Sequence, residues 1–275
     1  MNMFENQVVV VTGAGRGIGA AAATLFARQG AKVVVNDLNQ EPAAEVVAAI
    51  NAAGGEAIAV AGDVTEVGFP EQLMETAVAT YGKINVLVNN AGYTWDGMLH
   101  KMSDKQWQAI LDVHATAPFR MIRAVAPYMR DLAKEEMKTG GLKEPRCIVN
   151  VSSTSGLHGN IGQSNYATGK MGIVGLTKTV AKEWGGFGIR CNAVAFGFID
   201  TRLTQSKEAE ESIEVDGEEI RLGIPEVLRR SAGMFIPLGR PATPEEAAGG
   251  ILMLASPWAA YVTGHTLEVT GGSGI

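Results

Sequence analysis

The sequence predicts an α/β fold in which a doubly wound, mostly parallel sheet of seven strands carries helices on both faces, a three-layer Rossmann-type arrangement. Short runs of β-branched residues alternate with longer helical segments along nearly the whole chain, which is typical of parallel sheets with crossover helices. Several runs are apolar throughout, as strands covered on both faces must be. The first run is followed by a glycine-rich turn that opens a helix. We expect residues 1–275 to form a single domain.

The predicted strands are short, apolar and separated by segments of helical length. They are residues 7–11, 32–36, 56–60, 85–88, 147–151, 190–194 and 266–269. The main predicted helices are residues 18–29, 41–53, 70–81, 164–184 and 244–254. In such a sheet, ligands bind at the carboxyl ends of the strands.

Two stretches interrupt the alternation. Residues 134–145 are polar, contain a glycine pair and end in proline, which predicts an exposed extension between a helix and a strand. Residues 203–237 are longer than a normal crossover, and their length and polarity suggest an inserted mobile lid over the substrate. The acidic part of this second stretch should be solvated: Glu208, Glu210, Glu211, Glu214, Asp216, Glu218 and Glu219.

The charge and the apolar content exclude several classes of protein. The net charge is −6 and no block of lysine and arginine occurs, so neither nucleic acid nor an anionic membrane is an expected partner. No apolar run reaches the roughly 20 residues of a membrane-spanning helix. Cys147 and Cys191 lie in apolar strands and suggest a reducing compartment, so we expect a cytoplasmic protein. No metal site is expected.

The glycine-rich turn after the first strand reads TGAGRGIG, residues 12–19. Glycines at such positions let the chain turn sharply and let backbone N–H groups approach a phosphate, while the following helix directs its positive end there. The strand before and the helix after favour dinucleotide binding over a purely structural turn. The predicted cofactor contacts are Gly13, Arg16, Gly17, Ile18 and Gly19.

Asp37 ends the second predicted strand, 18 residues after Gly19. A carboxylate there accepts hydrogen bonds from the adenosine ribose and repels a 2′-phosphate. Arg16 argues the other way, because a guanidinium in the glycine loop pairs well with a phosphate. Direct ribose contact should outweigh a side chain that can swing away, so NAD(H) is favoured over NADP(H).

Ser153, Tyr166 and Lys170 form the predicted catalytic group. Tyr166 and Lys170 are four residues apart in YATGK and so lie on one helix face. A phenol has a pKa of about 10, and a neighbouring cation and a positively charged nicotinamide should lower it toward the working range. Ser153 follows a strand and can hold the substrate oxygen near the phenol. Each residue alone also suits ordinary helix packing or capping.

Taken together, these motifs identify the chain as resembling the short-chain dehydrogenase/reductase family almost from end to end. The resemblance rests on TGAGRGIG, Asp63-Val64, NNAG at 89–92, NVSS at 150–153, YATGK, the segment 199–201 and VTGG at 269–272. It implies a proton-transferring Tyr166, tuned by Lys170, beside a substrate held by Ser153. The further cofactor contacts that it implies are Asp63 and Val64 at the adenine, Asn90, Ala91 and Gly92 at the ribose, and Ile199 and Thr201 at the carboxamide.

Two positions depart from the family pattern. His114, in DVHATAPF, stands where members usually carry an asparagine that helps hold a water connecting the lysine to solvent. An imidazole there serves either as a different relay, near its ordinary pKa of about 6.5, or simply as filling for a helix kink. Phe196 replaces the usual proline before Gly197, which leaves the path of that loop open.

Within the family, the stretches NNAGYTWDGMLHKMSDKQWQAIL and PLGRPATPEEAAGGILMLAS are most similar to bacterial 3-oxoacyl thioester reductases. This implies a β-keto or β-hydroxy acyl substrate. Residues 207–221 argue against an anionic carrier, because they hold seven acids against two bases. A sugar, polyol or other small secondary alcohol is the alternative substrate, and a non-catalytic nucleotide sensor or scaffold is the alternative class. Candidate pocket residues are Trp95, Met98, Leu157, His158 and Phe198.

Assembly is suggested by glycines three apart on one helix, Gly169, Gly172 and Gly175. They predict a smooth face that another helix can approach, although packing within the subunit explains them equally well. The family resemblance implies a homotetramer that uses this helix and the one at 244–254.

Overall fold

The computed structural model describes residues 2–209, 211–215 and 217–274. Glu210 and Asp216, two of the acids expected to be solvated, lie outside the described residues.

Seven parallel strands form the central sheet, as predicted. They are β1 (Val8–Val11), β2 (Lys32–Asp37), β3 (Glu56–Ala61), β4 (Val86–Asn89), β5 (Arg146–Ser153), β6 (Ile189–Phe196) and β9 (Thr266–Val269). Their order across the sheet is β3-β2-β1-β4-β5-β6-β9, and every neighbouring pair is parallel. The chain runs outward from β1 in one direction and then from β4 in the other, so the doubly wound topology is confirmed. A separate antiparallel hairpin consists of β7 (Ser212–Val215) and β8 (Glu218–Arg221).

The helices alternate with the strands. They are α1 (Gly17–Arg28), α2 (Gln40–Ala52), α3 (Phe69–Tyr81), α4 (Asp104–Leu111), α5 (Ala117–Ala126), α6 (Leu132–Lys138), α7 (Thr154–His158), α8 (Ser164–Trp184), α9 (Glu226–Phe235) and α10 (Pro244–Ala255). Two π-helical segments, Asp112–Thr116 and Pro127–Asp131, join α4, α5 and α6.

Each face of the sheet is covered by its own layer of helices. Val9 packs into a core with Phe26 of α1 and Ile251 of α10, whereas Val10 packs into a second core with Leu73 of α3 and Met121 of α5. Successive strand residues point to opposite faces, and both faces are apolar here because both are buried. Two cores on one sheet give the predicted three-layer arrangement.

The stretch 134–145 is largely exposed, as predicted, but its first part belongs to a helix and is not a separate extension. Residues 134–138 continue α6, and Glu136 forms a salt bridge with Arg146 at the start of β5, with a distance of 2.7 Å. Both side chains are largely buried, Arg146 at 6% exposure and Glu136 at 15%. Residues 139–143 are exposed as predicted. The ion pair thus ties the segment to the amino-terminal edge of the sheet.

The long connection 203–237 is folded as the hairpin β7–β8 followed by α9. Glu208, Glu214, Glu218 and Glu219 are exposed, as expected. Glu211 is instead half-buried, and its carboxylate lies 3.4 Å from Arg202 Nε.

The three glycines of α8 do not form a single smooth face. A Cβ atom on Gly169 would lie 3.0 Å from Cβ of His114, inside the subunit, whereas Cβ atoms on Gly172 and Gly175 would meet nothing within 4 Å. Three residues advance a helix by 300°, so the outer pair turns progressively away from Gly169. Two of the three positions remain available for an external contact.

Within the described ranges no helix is long and apolar enough to cross a membrane, and no group of three potential metal ligands occurs there.

Candidate active site

A cavity of about 980 Å³ opens at the carboxyl ends of the parallel strands. It spans the gap between β1 and β4, where the strand order reverses, the usual ligand position in open α/β sheets. Every predicted catalytic and cofactor-binding residue lines it: Gly13, Arg16, Gly17, Ile18, Gly19, Asp37, Asp63, Val64, Asn90, Ala91, Gly92, His114, Ser153, Tyr166, Lys170, Ile199 and Thr201. The sequence motifs therefore meet at one place.

The glycine loop is shaped for close approach of the backbone. Gly13 has φ +60°, and a Cβ on it would lie 2.7 Å from Cα of Ala91; a Cβ on Gly19 would overlap the Gly13 carbonyl oxygen. Asn90 Nδ2 donates to the carbonyl oxygens of Thr12 and Gly13 at 2.9 and 3.0 Å, which fixes the loop.

The loop ends where α1 begins. The first N–H groups of a helix have no partner within it and attract anions. The start of α1 at Gly17 thus offers a cradle for a phosphate. Glycine at positions 13 and 19 allows the close backbone packing that shapes it. The residues present fit a dinucleotide.

Asp37 is held at the end of β2, beside this loop. Its Oδ2 accepts the N–H of Gly15 at 2.9 Å, and its Oδ1 accepts the N–H of Asn39 at 3.3 Å. The two residues after it, Leu38 and Asn39, are uncharged, while Arg16 is exposed immediately before α1. The Asp37 carboxylate is thus held in the cavity wall by two hydrogen bonds, whereas the Arg16 side chain is exposed to solvent.

The far end of the cavity is built by Asp63 and Val64. Asp63 Oδ1 accepts both the N–H and the hydroxyl of Thr65, at 2.8 and 2.7 Å, and Val64 is buried. Asn36, which the sequence analysis missed, also lines this region. Its Nδ2 donates to the carbonyl oxygens of Val60 and Gly62 at 3.1 Å each. The sequence signal that could have identified Asn36 is a polar residue in the otherwise apolar run of β2.

Ser153, Tyr166 and Lys170 meet because β5 ends beside the first turns of α8. Ser153 is hydrogen-bonded to the Tyr166 side chain, and Lys170 Nζ donates to the Val151 carbonyl oxygen at 2.8 Å. The ammonium nitrogen lies 5.6 Å from the centroid of the Tyr166 ring. Ser152 Oγ donates to the Lys170 carbonyl oxygen at 2.7 Å, so strand and helix are locked together. Phenol, hydroxyl and amine thus share one small volume.

Burial dominates the protonation of both ionisable groups. It raises the pKa of Tyr166 to about 12, the Ser153 hydrogen bond acting in the opposite direction and the charge of Asp96 in the same one. It lowers the pKa of Lys170 to about 7. Burial thus opposes the expected lowering of the phenol pKa. That lowering also requires the positive charge of a bound nicotinamide, so it stays a prediction for the cofactor complex.

His114 lies in the first π-helical segment and is buried at 3% exposure. Its Nε2 lies 2.8 Å from the Tyr93 carbonyl oxygen, which can only accept, so Nε2 carries the proton. The ring meets Tyr166 edge to face, with centroids 4.9 Å apart, and a Cβ on Gly92 would overlap it. Burial and the charge of Lys170 hold the pKa of His114 well below 6.5. The expectation of an imidazole near its ordinary pKa is wrong, and the ring fills the kink as a neutral group.

The loop after Phe196 has a defined path. Phe196 ends β6 buried at 5% exposure, and the Gly197 N–H donates to the Val269 carbonyl oxygen at 3.1 Å. A Cβ on Gly197 would lie 3.0 Å from Cα of Thr270, so the glycine allows the close turn. Ile199 and Thr201 then reach the cavity.

The predicted substrate pocket is largely wrong. Phe198 lines the cavity, but Trp95, Met98, Leu157 and His158 do not. His158 instead lies 3.6 Å from Glu268 in a half-exposed pair. Further lining residues, not predicted from the sequence, come from the lid, from the loop after β4 and from the residue before α8: Asp96, Gln163, Ile213, Val215, Leu222, Phe235 and Ile236. Each carboxylate oxygen of Asp96 accepts a hydrogen bond from Gln163 Nε2 at 3.2 Å. The two residues are 67 positions apart, so no local sequence pattern predicts this contact.

Known proteins are similar to this chain in sequence. The family model described as short chain dehydrogenase matches residues 7–212. The 3-oxoacyl-(acyl-carrier-protein) reductase of Synechocystis is 42% identical over 274 residues, which cover 99% of this chain and 98% of that protein. The 3-oxoacyl-(acyl-carrier-protein) reductase FabG of Thermotoga maritima is 39% identical over 269 residues, 98% of each chain. A (3R)-3-hydroxyacyl-CoA dehydrogenase of Canis lupus familiaris is 36% identical over 278 residues, 98% and 96% of the two chains.

Proposed function

The chain belongs to the short chain dehydrogenase family, and on that premise we propose that it transfers a hydride between NAD(H) and a secondary alcohol or ketone of the 3-hydroxyacyl or 3-oxoacyl thioester class. The observation that carries this proposal is the meeting of Ser153, Tyr166 and Lys170 in the cavity that the glycine loop and Asp37 also line. The activities of the relatives named above, a 3-oxoacyl-(acyl-carrier-protein) reductase and a (3R)-3-hydroxyacyl-CoA dehydrogenase, support the thioester class.

The proposed chemistry divides the work among three side chains. Ser153 holds the substrate oxygen, and Tyr166 gives it a proton during reduction or removes one during oxidation. A bound nicotinamide supplies the hydride to the carbonyl carbon or accepts it in the reverse direction. Lys170 contacts the cofactor ribose and, when charged, stabilises the phenolate that remains after the proton leaves. His114 supports Tyr166 from the side as a neutral ring.

The preference for NAD(H) over NADP(H) rests on Asp37. Its carboxylate is fixed by the N–H groups of Gly15 and Asn39 at the edge of the cavity. A 2′-phosphate beside it would place like charges together, which costs binding energy. Gly13, Arg16, Gly17, Ile18 and Gly19 would hold the pyrophosphate. Asp63 and Val64 would hold the adenine, Asn90, Ala91 and Gly92 the ribose, and Ile199 and Thr201 the carboxamide.

The test is the initial rate of acetoacetyl-CoA reduction with NADH and with NADPH, with Tyr166→Phe as control. We expect NADH-dependent turnover that falls by roughly 10²-fold or more in the variant, the usual contribution of a positioned acid. Turnover that survives Tyr166→Phe would contradict the assigned proton donor. Loss of turnover in that variant would also exclude a non-catalytic nucleotide sensor or scaffold.

A sugar, polyol or other small secondary alcohol is the second candidate substrate. The acidic lid favours it, because Glu208, Glu214 and Glu219 are exposed in the connection that contributes to the cavity and would repel an anionic carrier. Absence of acetoacetyl-CoA turnover by a protein that still binds NADH would favour this candidate. A panel of small alcohols and sugars would then identify the substrate.

The remaining expectations concern the molecule as a whole. Residues 1–275 would act as one domain with residues 203–237 as its lid. The outward faces of α8 and α10 would form a homotetramer. Cys147 and Cys191 are both buried free thiols, which supports a reducing, cytoplasmic location.

A further inference from the structure

The loop after β3 carries the two residues proposed to hold the adenine, and the Asp63 carboxylate shapes it. Asp63 Oδ1 accepts both the N–H and the hydroxyl of Thr65, at 2.8 and 2.7 Å. Within the described residues no group donates a hydrogen bond to Asp63 Oδ2, and Asp63 lines the cavity. One oxygen of the carboxylate is therefore used inside the loop, and the other is left for a ligand.

The two sides of this loop are held differently. On the side of β3, Asn36 Nδ2 donates to the Gly62 carbonyl oxygen at 3.1 Å, which ties the loop to β2. On the side of α3, residues 66–68 are all exposed, Val67 at 88%. Thr65 thus stands between a packed segment and a solvated one, so a contact from outside the loop is needed to fix it.

Arg120 of α5 supplies this contact. Its Nη1 donates to the Thr65 carbonyl oxygen at 2.7 Å, across 55 residues of sequence. The Arg120 side chain is half-buried and forms no salt bridge within the described part of the chain. No carboxylate there competes with the Thr65 oxygen for the guanidinium, and a hydrogen bond from a charged donor is roughly twice as strong as one between neutral groups.

The influence of Arg120 on a ligand in the cavity must pass through Thr65. None of the described residues of α5 lines the cavity, whereas Thr65 does. The guanidinium holds the Thr65 carbonyl oxygen, and the N–H and hydroxyl of Thr65 hold Asp63 Oδ1. A shift of Thr65 would therefore move both donors of the Asp63 carboxylate and turn its unused oxygen away from the ligand.

We propose that Arg120 is a positioning residue for the adenosine half of the cofactor, because it holds Thr65 and, through Thr65, the Asp63 carboxylate. The inference rests on the proposed function, because it concerns the dinucleotide in the same cavity. Ser153 ends β5, which is separated from β3 by β2, β1 and β4 in the sheet. Arg120 thus contributes to the affinity for the adenosine half and leaves the affinity for the nicotinamide half unchanged.

Calorimetry with the two halves of the cofactor tests this division. ADP-ribose carries the adenosine and the pyrophosphate, whereas reduced nicotinamide mononucleotide carries only the nicotinamide half. Arg120→Met keeps an unbranched stem and removes the charged donor. It should raise the Kd of ADP-ribose about fivefold or more, because a hydrogen bond from a charged group is lost. The Kd of the mononucleotide should change by less than about twofold, and that of NADH should follow ADP-ribose.

Arg123→Met is the matched control, because Arg123 lies three residues further along α5. Its side chain is 60% exposed and lies 3.8 Å from the carboxylate of Glu71 in α3. The control removes the same charge from the same helix, so it accounts for the general attraction between a cation and these anionic ligands. It should leave both Kd values unchanged. Equal weakening of ADP-ribose in the two variants would overturn the proposal, as would equal weakening of both halves in Arg120→Met.

Thr65→Val tests the same path with Arg120 in place, and it decides the matter if Arg120→Met does not fold. It removes the hydroxyl that donates to Asp63 Oδ1. The Kd of ADP-ribose should rise about twofold or more, because one of two hydrogen bonds to the carboxylate is lost. The Kd of the mononucleotide should stay the same. An unchanged affinity for ADP-ribose would overturn the proposed path.

The binding measurements do not require turnover, so this inference and the proposed reaction can fail separately. Weaker binding of ADP-ribose by Arg120→Met, in a protein that reduces no oxo substrate, would refute the reaction and support the positioning role. NADH-dependent reduction by a protein whose affinity for ADP-ribose is the same with and without Arg120→Met would support the reaction and refute the positioning role.

Discussion

Lys170 is a buried amine whose protonation links the active site to the stability of the fold. Burial lowers its pKa to about 7 in the folded protein, against about 10.4 in an unfolded chain. Between these values the unfolded chain binds more protons, so the free energy of unfolding rises with pH. This contribution of Lys170 to the free energy of unfolding is fully present above the pKa of the lysine in the unfolded chain. It is lost as the pH falls toward 7. Its slope reaches about 1.4 kcal/mol per pH unit.

We therefore expect the difference in unfolding free energy between the unaltered protein and Lys170→Met to increase from pH 7 to pH 9.5. Urea unfolding at several pH values measures it. Taking the difference removes the opposing titration of Tyr166, whose raised pKa lowers stability at higher pH in both proteins. A difference that does not change with pH would mean that Lys170 is not held in a desolvated site.

At the residue scale, the proposed preference for NAD(H) depends on Asp37. Asp37→Asn keeps the shape of the side chain and removes the charge that opposes a 2′-phosphate. We expect the ratio of kcat/KM for NADPH to that for NADH to rise about tenfold or more, given the usual cost of like charges in contact. Glu41→Gln is the control, since Glu41 is an exposed carboxylate in the first turn of the next helix. An unaltered protein that uses both cofactors equally would contradict the assignment.

The clearest limit of the sequence at this scale is His114. Its position beside the catalytic group was predicted from a motif, but its protonation was not. The tautomer depends on the Tyr93 carbonyl oxygen, 21 residues away, and the neutral state depends on burial of the ring and on the charge of Lys170. Neither is contained in the local pattern.

At the scale of elements, the buried ion pair between Glu136 and Arg146 anchors α6 to β5. Glu136 carries two hydrogen bonds from the guanidinium, at 2.7 and 2.8 Å. They are the main cause that lowers the pKa of Glu136 to about 2. The stability from this carboxylate is therefore present above its ordinary pKa of about 4.3 and is lost as the pH falls toward 2.

Glu136→Gln should destabilise the protein by about 3 kcal/mol at pH 7, because it leaves the buried guanidinium without its counter-charge. Glu135→Gln is the matched control one residue earlier. Glu135 is 66% exposed and pairs with Lys138, and loss of an exposed pair costs about 0.5 kcal/mol or less. Chemical unfolding of both variants measures the difference. Equal effects would show that the Glu136 pair is as solvated as the exposed one.

Elements with strong local signals were predictable from the sequence, and those fixed by distant contacts were not. β5 is a continuous apolar run, and α8 begins at the YATGK motif, so both were identified. The hairpin strands have only four residues each and are rich in glutamate. Their pairing is favoured by burial of Ile220 and Leu222 against the body of the protein. For the same reason, the lid contribution to the pocket was missed.

At the scale of the whole molecule, the site could be predicted because parallel strands bring their carboxyl ends to one edge. The glycine loop, Asp37, Asp63, Asn90 and Ser153 follow five different strands, β1 to β5, yet all line one cavity. The parallel topology alone brings these residues together. Motifs far apart in the sequence therefore predicted the part of the cavity proposed to bind the cofactor. The substrate side depends on the connection between β6 and α10, where topology imposes no such constraint.

The remaining whole-molecule question is assembly, and α8 offers a sharp test of it. Gly172 and Gly175 have open space around them within the subunit, although glycine costs a helix about 1 kcal/mol relative to alanine. Nothing inside the described part of the subunit requires these residues. Close approach of another helix would require them, and the family resemblance predicts such a contact in a homotetramer.

Gly175→Glu should therefore dissociate the tetramer without unfolding the subunit. The new side chain fits in the isolated chain and favours the helix, but in an interface it would bury an unpaired charge. Sedimentation velocity at micromolar concentration, together with circular dichroism, measures both properties. Gly186→Glu is the control, because Gly186 also has open space around it but lies beyond the end of α8. A monomeric unaltered protein would exclude the tetramer, and a tetrameric Gly175→Glu variant would exclude this face of α8 as its interface.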